Sequence, residues 1–92
     1  GVHPWDCDTV ERDAVLQLHR MDIDGVGEIG LDRTRGDIAL QRFFFDEQLA
    51  VAAERDLPVA LHAVRTSEEI IAAVRKSGVD RSRVMVHCFV GG

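Results

Sequence analysis

The sequence predicts an α/β fold built on a parallel sheet, and three observations carry that prediction. Helix-like and strand-like segments alternate along the chain, with successive strands about 25 to 35 residues apart. The strand-like segments are apolar nearly throughout, as expected where a sheet is covered on both faces. Three of them also finish on a side chain competent to bind a metal: Glu28 in DGVGEIGLD, His62 in LPVALH and His87 in RVMVHCF. In parallel architectures the carboxyl ends of neighbouring strands lie side by side. Residues 34 and 25 positions apart in sequence are therefore brought together in space.

The elements follow in order. Residues 1–8 are turn-like, with Pro4 and two aspartates. Asp8 with Glu11 resembles a capping box, and Val10, Ala14, Val15 and Leu18 keep helical spacing, which predicts a helix over about 9–20. Residues 24–31, an apolar run with three glycines, read as a strand, and Arg33 to Asp37 as a polar loop. A longer helix is expected from about 37 to 55, with Ile38, Phe45, Leu49 and Ala52 on one face. Asp56 closes it, and Leu57-Pro58 leads into a strand over 58–62. Thr66 and Glu69 form a second capping-box match, opening a helix that Gly78 stops. Residues 83–89 read as the last strand and Gly91-Gly92 as a loop. The order α–β–α–β–α–β implies right-handed crossovers.

Composition narrows the class. The 92 residues are 46% apolar and 29% charged, the mark of a globular chain rather than a disordered one. They suffice for one domain with a modest core, well short of the roughly 250 residues of a closed (β/α)8 barrel. A net charge of −5 argues against a nucleic-acid coat protein. It leaves open an enzyme acting on phosphates, because bound metals reverse the local sign. Cys7 and Cys88 make no disulfide framework and read as reduced thiols of a cytoplasmic protein. No apolar stretch approaches the length of a membrane span.

Glu28 lies in an otherwise apolar strand, with Gly27 and Gly30 nearby. An isolated buried carboxylate costs several kcal/mol, so it requires a partner, a proton or a metal. The bland alternative is an ion pair with Arg33, Arg35 or Arg65. A lone histidine at a strand end is more often structural than ligating. Two of them, His62 and His87, together with Glu28 raise the joint case for a divalent-metal site. His3 is a weaker candidate beside Pro4. Asp32 reads as a loop or N-cap carboxylate, with catalysis the minority reading. Arg33 and Arg65 suit an anionic substrate. Cys88 reads as a buried small apolar residue rather than a nucleophile, Phe43 to Phe45 as helix packing, and Trp5 as packing rather than base stacking. His19 is assigned no role.

Gly1-Val-His-Pro-Trp5, Val26-Gly-Glu-Ile-Gly-Leu-Asp32, Gln48-Leu49 with Glu54 and Leu57-Pro58, Leu61-His62, and Val86-His-Cys-Phe89 followed by Gly91 occur in that order. As a set they resemble the TatD family of metal-dependent deoxyribonucleases, in the amidohydrolase-like TIM-barrel superfamily, along essentially the whole chain. The resemblance implies a (β/α)8 barrel of which residues 1–92 hold about strands 3–6, as part of a single barrel domain. It implies a phosphodiesterase that hydrolyses DNA with metal-activated water and two divalent cations, Mg, Mn or Zn. Glu28 would bridge the two metals, His62 and His87 would bind one of them, and His3 would lie near the substrate phosphate, with Arg65 as a second substrate contact.

The departures from the family pattern are also specific. The family's His-x-His pair does not occur in this chain, and its late Glu-Thr-Asp aspartate is expected beyond Gly92. Half of a dinuclear site is therefore expected elsewhere in a longer protein, along with the general acid or base. The 92 residues alone are expected to be inactive. Arg33-Thr34 replaces the aromatic usual after Asp32, and Ala63-Val64-Arg65-Thr66 replaces Ser-Arg-Asp after His62. Two alternatives accompany this reading. One is a hydrolase acting on a cyclic amide or ester. The other is a non-catalytic, metal-binding partial barrel that self-associates through exposed sheet edges.

Overall fold

The computed structural model describes residues 2–7 and 24–91. The helix expected over about 9–20, with its Asp8/Glu11 cap and His19, lies outside the described residues. The elements are β1 (Val26–Asp32), α1 (Ile38–Arg55), β2 (Val59–Val64), α2 (Ser67–Ser77) and β3 (Val84–Val90), with short 3-10 turns at Pro4–Asp6 and Arg81–Arg83. The three strands form one sheet in the order β1-β2-β3, and both pairings are parallel, as the alternation of elements predicts. No described helix is long and apolar enough to cross a membrane.

One apolar core joins the sheet to both helices. Alternate strand residues Ile29 and Leu31 of β1, and Val59, Leu61 and Ala63 of β2, meet Phe45, Leu49 and Ala52 of α1 and Ile70 and Val74 of α2. Burying each large side chain here contributes about 1.5–3 kcal/mol. α1 is buried more broadly than a single stripe, because Phe44 and Val51 pack with Cys7 in a second cluster. This helix also buries two amides, Gln41 and Gln48.

The helix ends test the local readings. Asp37 caps α1, its carboxylate accepting from the amides of Ala39 and Leu40 at 2.9 and 3.2 Å. Asp56 closes the helix in the left-handed region at φ 54°, as expected. The capping box predicted at Thr66 and Glu69 does not form. The Thr66 hydroxyl donates instead to the Leu31 carbonyl at 3.1 Å, tying the start of α2 to β1. Glu69 pairs with Arg33. Both side chains find longer-range partners, and these displace the local cap. Gly78 ends α2 at φ 82°, as predicted.

Two further expectations need correction. The strands run beyond their metal-competent residues, so Glu28, His62 and His87 lie within β1, β2 and β3 rather than at loop starts. β3 is also not covered on both faces. It pairs only with β2 and leaves Met85, Val86, Phe89 and Val90 more than half exposed among the described residues. Its apolar sequence has the pattern of a doubly covered strand, but within the described residues it is an edge.

β1 and β2 approach most closely at Gly30, which pairs with His62. Gly30 has φ 150°, and a Cβ there would lie 1.9 Å from the His62 carbonyl oxygen. Gly30→Ala is therefore expected to destabilise the protein by about 3 kcal/mol or more, through backbone strain and a clash that only separation of the strands relieves. Urea denaturation should report a lower midpoint at unchanged slope; an unshifted midpoint would contradict this account of the pairing.

Candidate metal centre

Both strand pairings carry a one-residue irregularity, and each involves a candidate ligand. Between β1 and β2, Val26 pairs with Val59 and Ile29 with Leu61, so Gly27 and Glu28 together oppose Ala60. Between β2 and β3, Leu61 pairs with Val86 and His62 with Cys88, which leaves His87 as the extra residue. Bulges of this kind re-aim side chains near functional sites. The two of them turn Glu28 and His87 toward His62 on the regular central strand.

The result is a cluster around one carboxylate. Glu28 Oε2 lies 3.5 Å from His62 Nδ1 and 3.8 Å from His87 Nδ1, while Glu28 Oε1 lies 3.3 Å from His3 Nε2. All three predicted ligands therefore meet, and His3 joins them from the N-terminal segment. Ligand atoms of His3, Glu28 and His62 lie within 4.8 Å of one another. His87 approaches from the rim, its side chain 72% exposed. Glu28 is not the buried carboxylate expected from its strand; its side chain is a quarter exposed and faces the histidines. None of the three arginines considered as its partner pairs with it. Arg33 binds Glu69, and Arg35 lies with its Cζ 3.9 Å over the Trp5 ring. Arg65 is exposed with a left-handed backbone at φ 56°, its amide donating to the Val90 carbonyl and its carbonyl accepting from Arg33.

Hydrogen-bond chemistry separates the two inner histidines. His3 Nδ1 accepts the Trp5 amide at 3.1 Å, so in the neutral ring Nε2 carries the hydrogen and points an N–H at Glu28. His62 Nε2 lies 3.1 Å from Asp32 Oδ2, so its hydrogen sits there, and Nδ1 turns a lone pair toward Glu28. Two acceptors, Nδ1 and a carboxylate oxygen, thus face each other across 3.5 Å, a spacing suited to a shared cation. One imidazole lone pair beside a carboxylate and a second, rim-exposed imidazole fit a divalent metal. His3, presenting an N–H, suits an anion.

Four residues that position this cluster were missed or undervalued in the sequence. Asp32, read as a loop carboxylate, is buried. Its carboxylate accepts the Trp5 indole N–H at 2.6 Å, the Thr34 amide at 2.9 Å and the Thr34 hydroxyl, besides His62. Burial alone would raise its pKa, but the hydrogen bonds from Thr34, Trp5 and His62 outweigh burial and hold the carboxyl well below the ordinary range. Trp5, 48% exposed, packs edge-on against His3 and His62 rather than in the core. Gln48 holds the segment that carries His3: its amide accepts from the Val2 N–H at 2.5 Å and donates to the Val2 carbonyl at 3.1 Å. Gln41 does the same for the other side, accepting from the Asp32 amide at 2.7 Å and donating to the Arg35 carbonyl at 2.5 Å. The available signal was an amide recurring every seven residues on a face that otherwise buries apolar groups. Cys88, expected to be buried, is half-buried, and neither cysteine forms a disulfide.

Two outcomes follow. Gln48→Ala should cost about 1–3 kcal/mol by stranding the part-buried Val2 backbone groups, and should broaden the His3 side-chain resonances in NMR spectra; unchanged His3 signals would show that the tether is dispensable. Asp32 should stabilise the fold fully above its ordinary pKa of 3.8, with that contribution lost as pH falls from there toward its lower folded value. The stability gap between wild type and Asp32→Asn, measured by denaturant melts across pH, should be flat near neutrality and narrow only in acid.

The family model described as TatD related DNase matches residues 1–92. The chain is 38% identical to the 3'-5' ssDNA/RNA exonuclease TatD of Pantoea ananatis (strain LMG 20103) over 98 aligned positions, covering 99% of this chain and 37% of that protein. It is 33% identical to the uncharacterized metal-dependent hydrolase YjjV of Escherichia coli (strain K12), and 30% identical to the uncharacterized metal-dependent hydrolase YabD of Bacillus subtilis (strain 168). Each of these two matches covers 99% of this chain and 38% of the relative. The chain thus spans little more than a third of the length of the curated relatives it matches. With the family matched from end to end, the chain belongs to the TatD-related DNases.

Proposed function

We propose that these residues form part of a metal-dependent hydrolase that cleaves phosphodiester bonds in DNA or RNA. The observation that carries this reading is the convergence of His3, His62 and His87 on the single carboxylate of Glu28. The names of the relatives support it: some are called single-stranded DNA/RNA exonucleases and others metal-dependent hydrolases. In this reading residues 1–92 belong to one (β/α)8 barrel domain of a cytoplasmic protein. β1, β2 and β3 are consecutive barrel strands, and the remaining ligands of a two-metal centre lie elsewhere in the longer chain.

Glu28 and His62 would hold the cation, His62 offering Nδ1, and His87 would join them from the rim. When bound, the metal acts as a Lewis acid on a phosphoryl oxygen and lowers the pKa of water. The imidazoles favour Mn or Zn over Mg, which prefers an all-oxygen shell. His3 Nε2–H donates to a phosphate oxygen, held in that orientation by the Trp5 amide on Nδ1. Arg65, exposed just past the end of β2, supplies a further positive charge for the strand backbone.

Glu28→Gln in the full-length protein should lower hydrolysis of single-stranded DNA by more than about 100-fold, exceeding the roughly 10–100-fold typical of losing an outer-shell group. Calorimetry on the same variant should show lost Mn2+ binding. Full nuclease activity in this variant would sink the proposal. Activity on a cyclic amide but not on DNA would favour the alternative hydrolase.

A further inference from the structure

We propose that Asp32 is a positioning residue for His62, holding its imidazole in the Nε2–H tautomer so that Nδ1 is the nitrogen offered toward Glu28. The inference rests on reading the Glu28 cluster as a metal centre, and it extends that centre to a residue outside the ligand set.

The argument starts from the β1 sequence Glu28-Ile29-Gly30-Leu31-Asp32. Ile29 and Leu31 face the helices, so Glu28, Gly30 and Asp32 share the opposite face. Gly30 pairs with His62 across the strands. Having no side chain, Gly30 leaves a gap between two carboxylates, and the His62 ring spans it. Nδ1 lies 3.5 Å from Glu28 Oε2 and Nε2 lies 3.1 Å from Asp32 Oδ2. The carboxylate–glycine–carboxylate spacing thus addresses the two ring nitrogens separately.

The surroundings of Asp32 decide which nitrogen carries the hydrogen. Two of its neighbours, the Trp5 indole N–H and the Thr34 amide, can only donate. The Thr34 hydroxyl donates as well. A carboxylate so surrounded acts as an acceptor throughout, and His62 must bring it the Nε2 hydrogen. Both side chains are nearly fully buried, so water does not replace either partner. Asp32 is itself immobilised, since its own amide is bound by the buried Gln41. A carboxylate behind a ligating histidine fixes ring orientation and raises basicity at the free nitrogen. Glu28 alone does not fix it, because its carboxylate accepts equally from an Nδ1–H.

The test reads the tautomer directly. Long-range 1H–15N correlation spectra of the metal-free, full-length protein should show His62 as a single Nε2–H form. Trp5→Phe, which removes one donor but keeps the carboxylate, should leave that form unchanged. Asp32→Asn puts an amide NH2 among these donors; His62 should lose its single tautomer, and affinity for Mn2+ or Zn2+ by calorimetry should fall by roughly 10–100-fold. An Nδ1–H signal in the wild type overturns the proposal, as does an Asp32→Asn variant that keeps both tautomer and affinity. If Asp32→Asn does not fold, the wild-type and Trp5→Phe spectra still decide. A wild-type protein that shows Nε2–H yet binds neither cation overturns the metal reading and leaves the tautomer assignment standing.

Discussion

A buried imidazole must be satisfied at both nitrogens, and the local architecture follows from that constraint around His62. The ring is 3% exposed on the central strand of the sheet. An unpaired polar atom there would cost about 1–3 kcal/mol. Water is excluded, so the neighbouring strands must bring the partners. β1 supplies Asp32 as the acceptor for Nε2–H and sets the Glu28 carboxylate opposite the Nδ1 lone pair, at a spacing suited to a cation, with Gly30 between the two. The tight β1–β2 contact at Gly30, the burial of Asp32 and the inward aim of Glu28 are consequences of one requirement.

The bulges show how a regular sheet is made to serve that requirement. In an unbroken pleat each strand offers one residue per register position. An extra residue in β1 and another in β3 turn candidate ligands from both sides toward the central strand. β2 carries no extra residue, as suits the strand whose side chain is buried. The division is physical: the regular strand holds the group that needs rigidity, and the bulged strands hold the groups that need aim.

The order of the described elements, the parallel sheet and the meeting of Glu28, His62 and His87 could be read from the sequence, because each rests on local patterning or spacing. The ends of α1 were legible for the same reason: Asp37 and Asp56 act on their own helix. Thr66 was misread because its hydroxyl reaches a carbonyl 35 positions away, and no local pattern encodes that choice. Asp32 was undervalued for a related reason. A loop aspartate and a buried acceptor of several hydrogen bonds look alike until Trp5, 27 positions earlier, is folded against it. The bulges were invisible because strand period alone does not reveal one extra residue. The face of β3 is bare among the described residues, and apolar composition reports what a strand is suited to, not what lies beside it.

The two buried amides of α1 have a consequence of their own. Gln41 grips the loop that follows β1, and Gln48 grips the backbone of Val2. They stand seven residues apart, two helical turns, so they project from one side with a rise of about 10 Å between them. The helix therefore works as a ruler that sets the distance between the end of β1 holding Asp32 and the segment holding His3. Because both grips act on main chain, the identity of residue 2 matters little, while the phase of the helix matters greatly. One residue inserted between Gln41 and Gln48 would swing one grip about 100° out of line. It would pull His3 and Asp32 out of mutual register while leaving every candidate ligand in the sequence untouched.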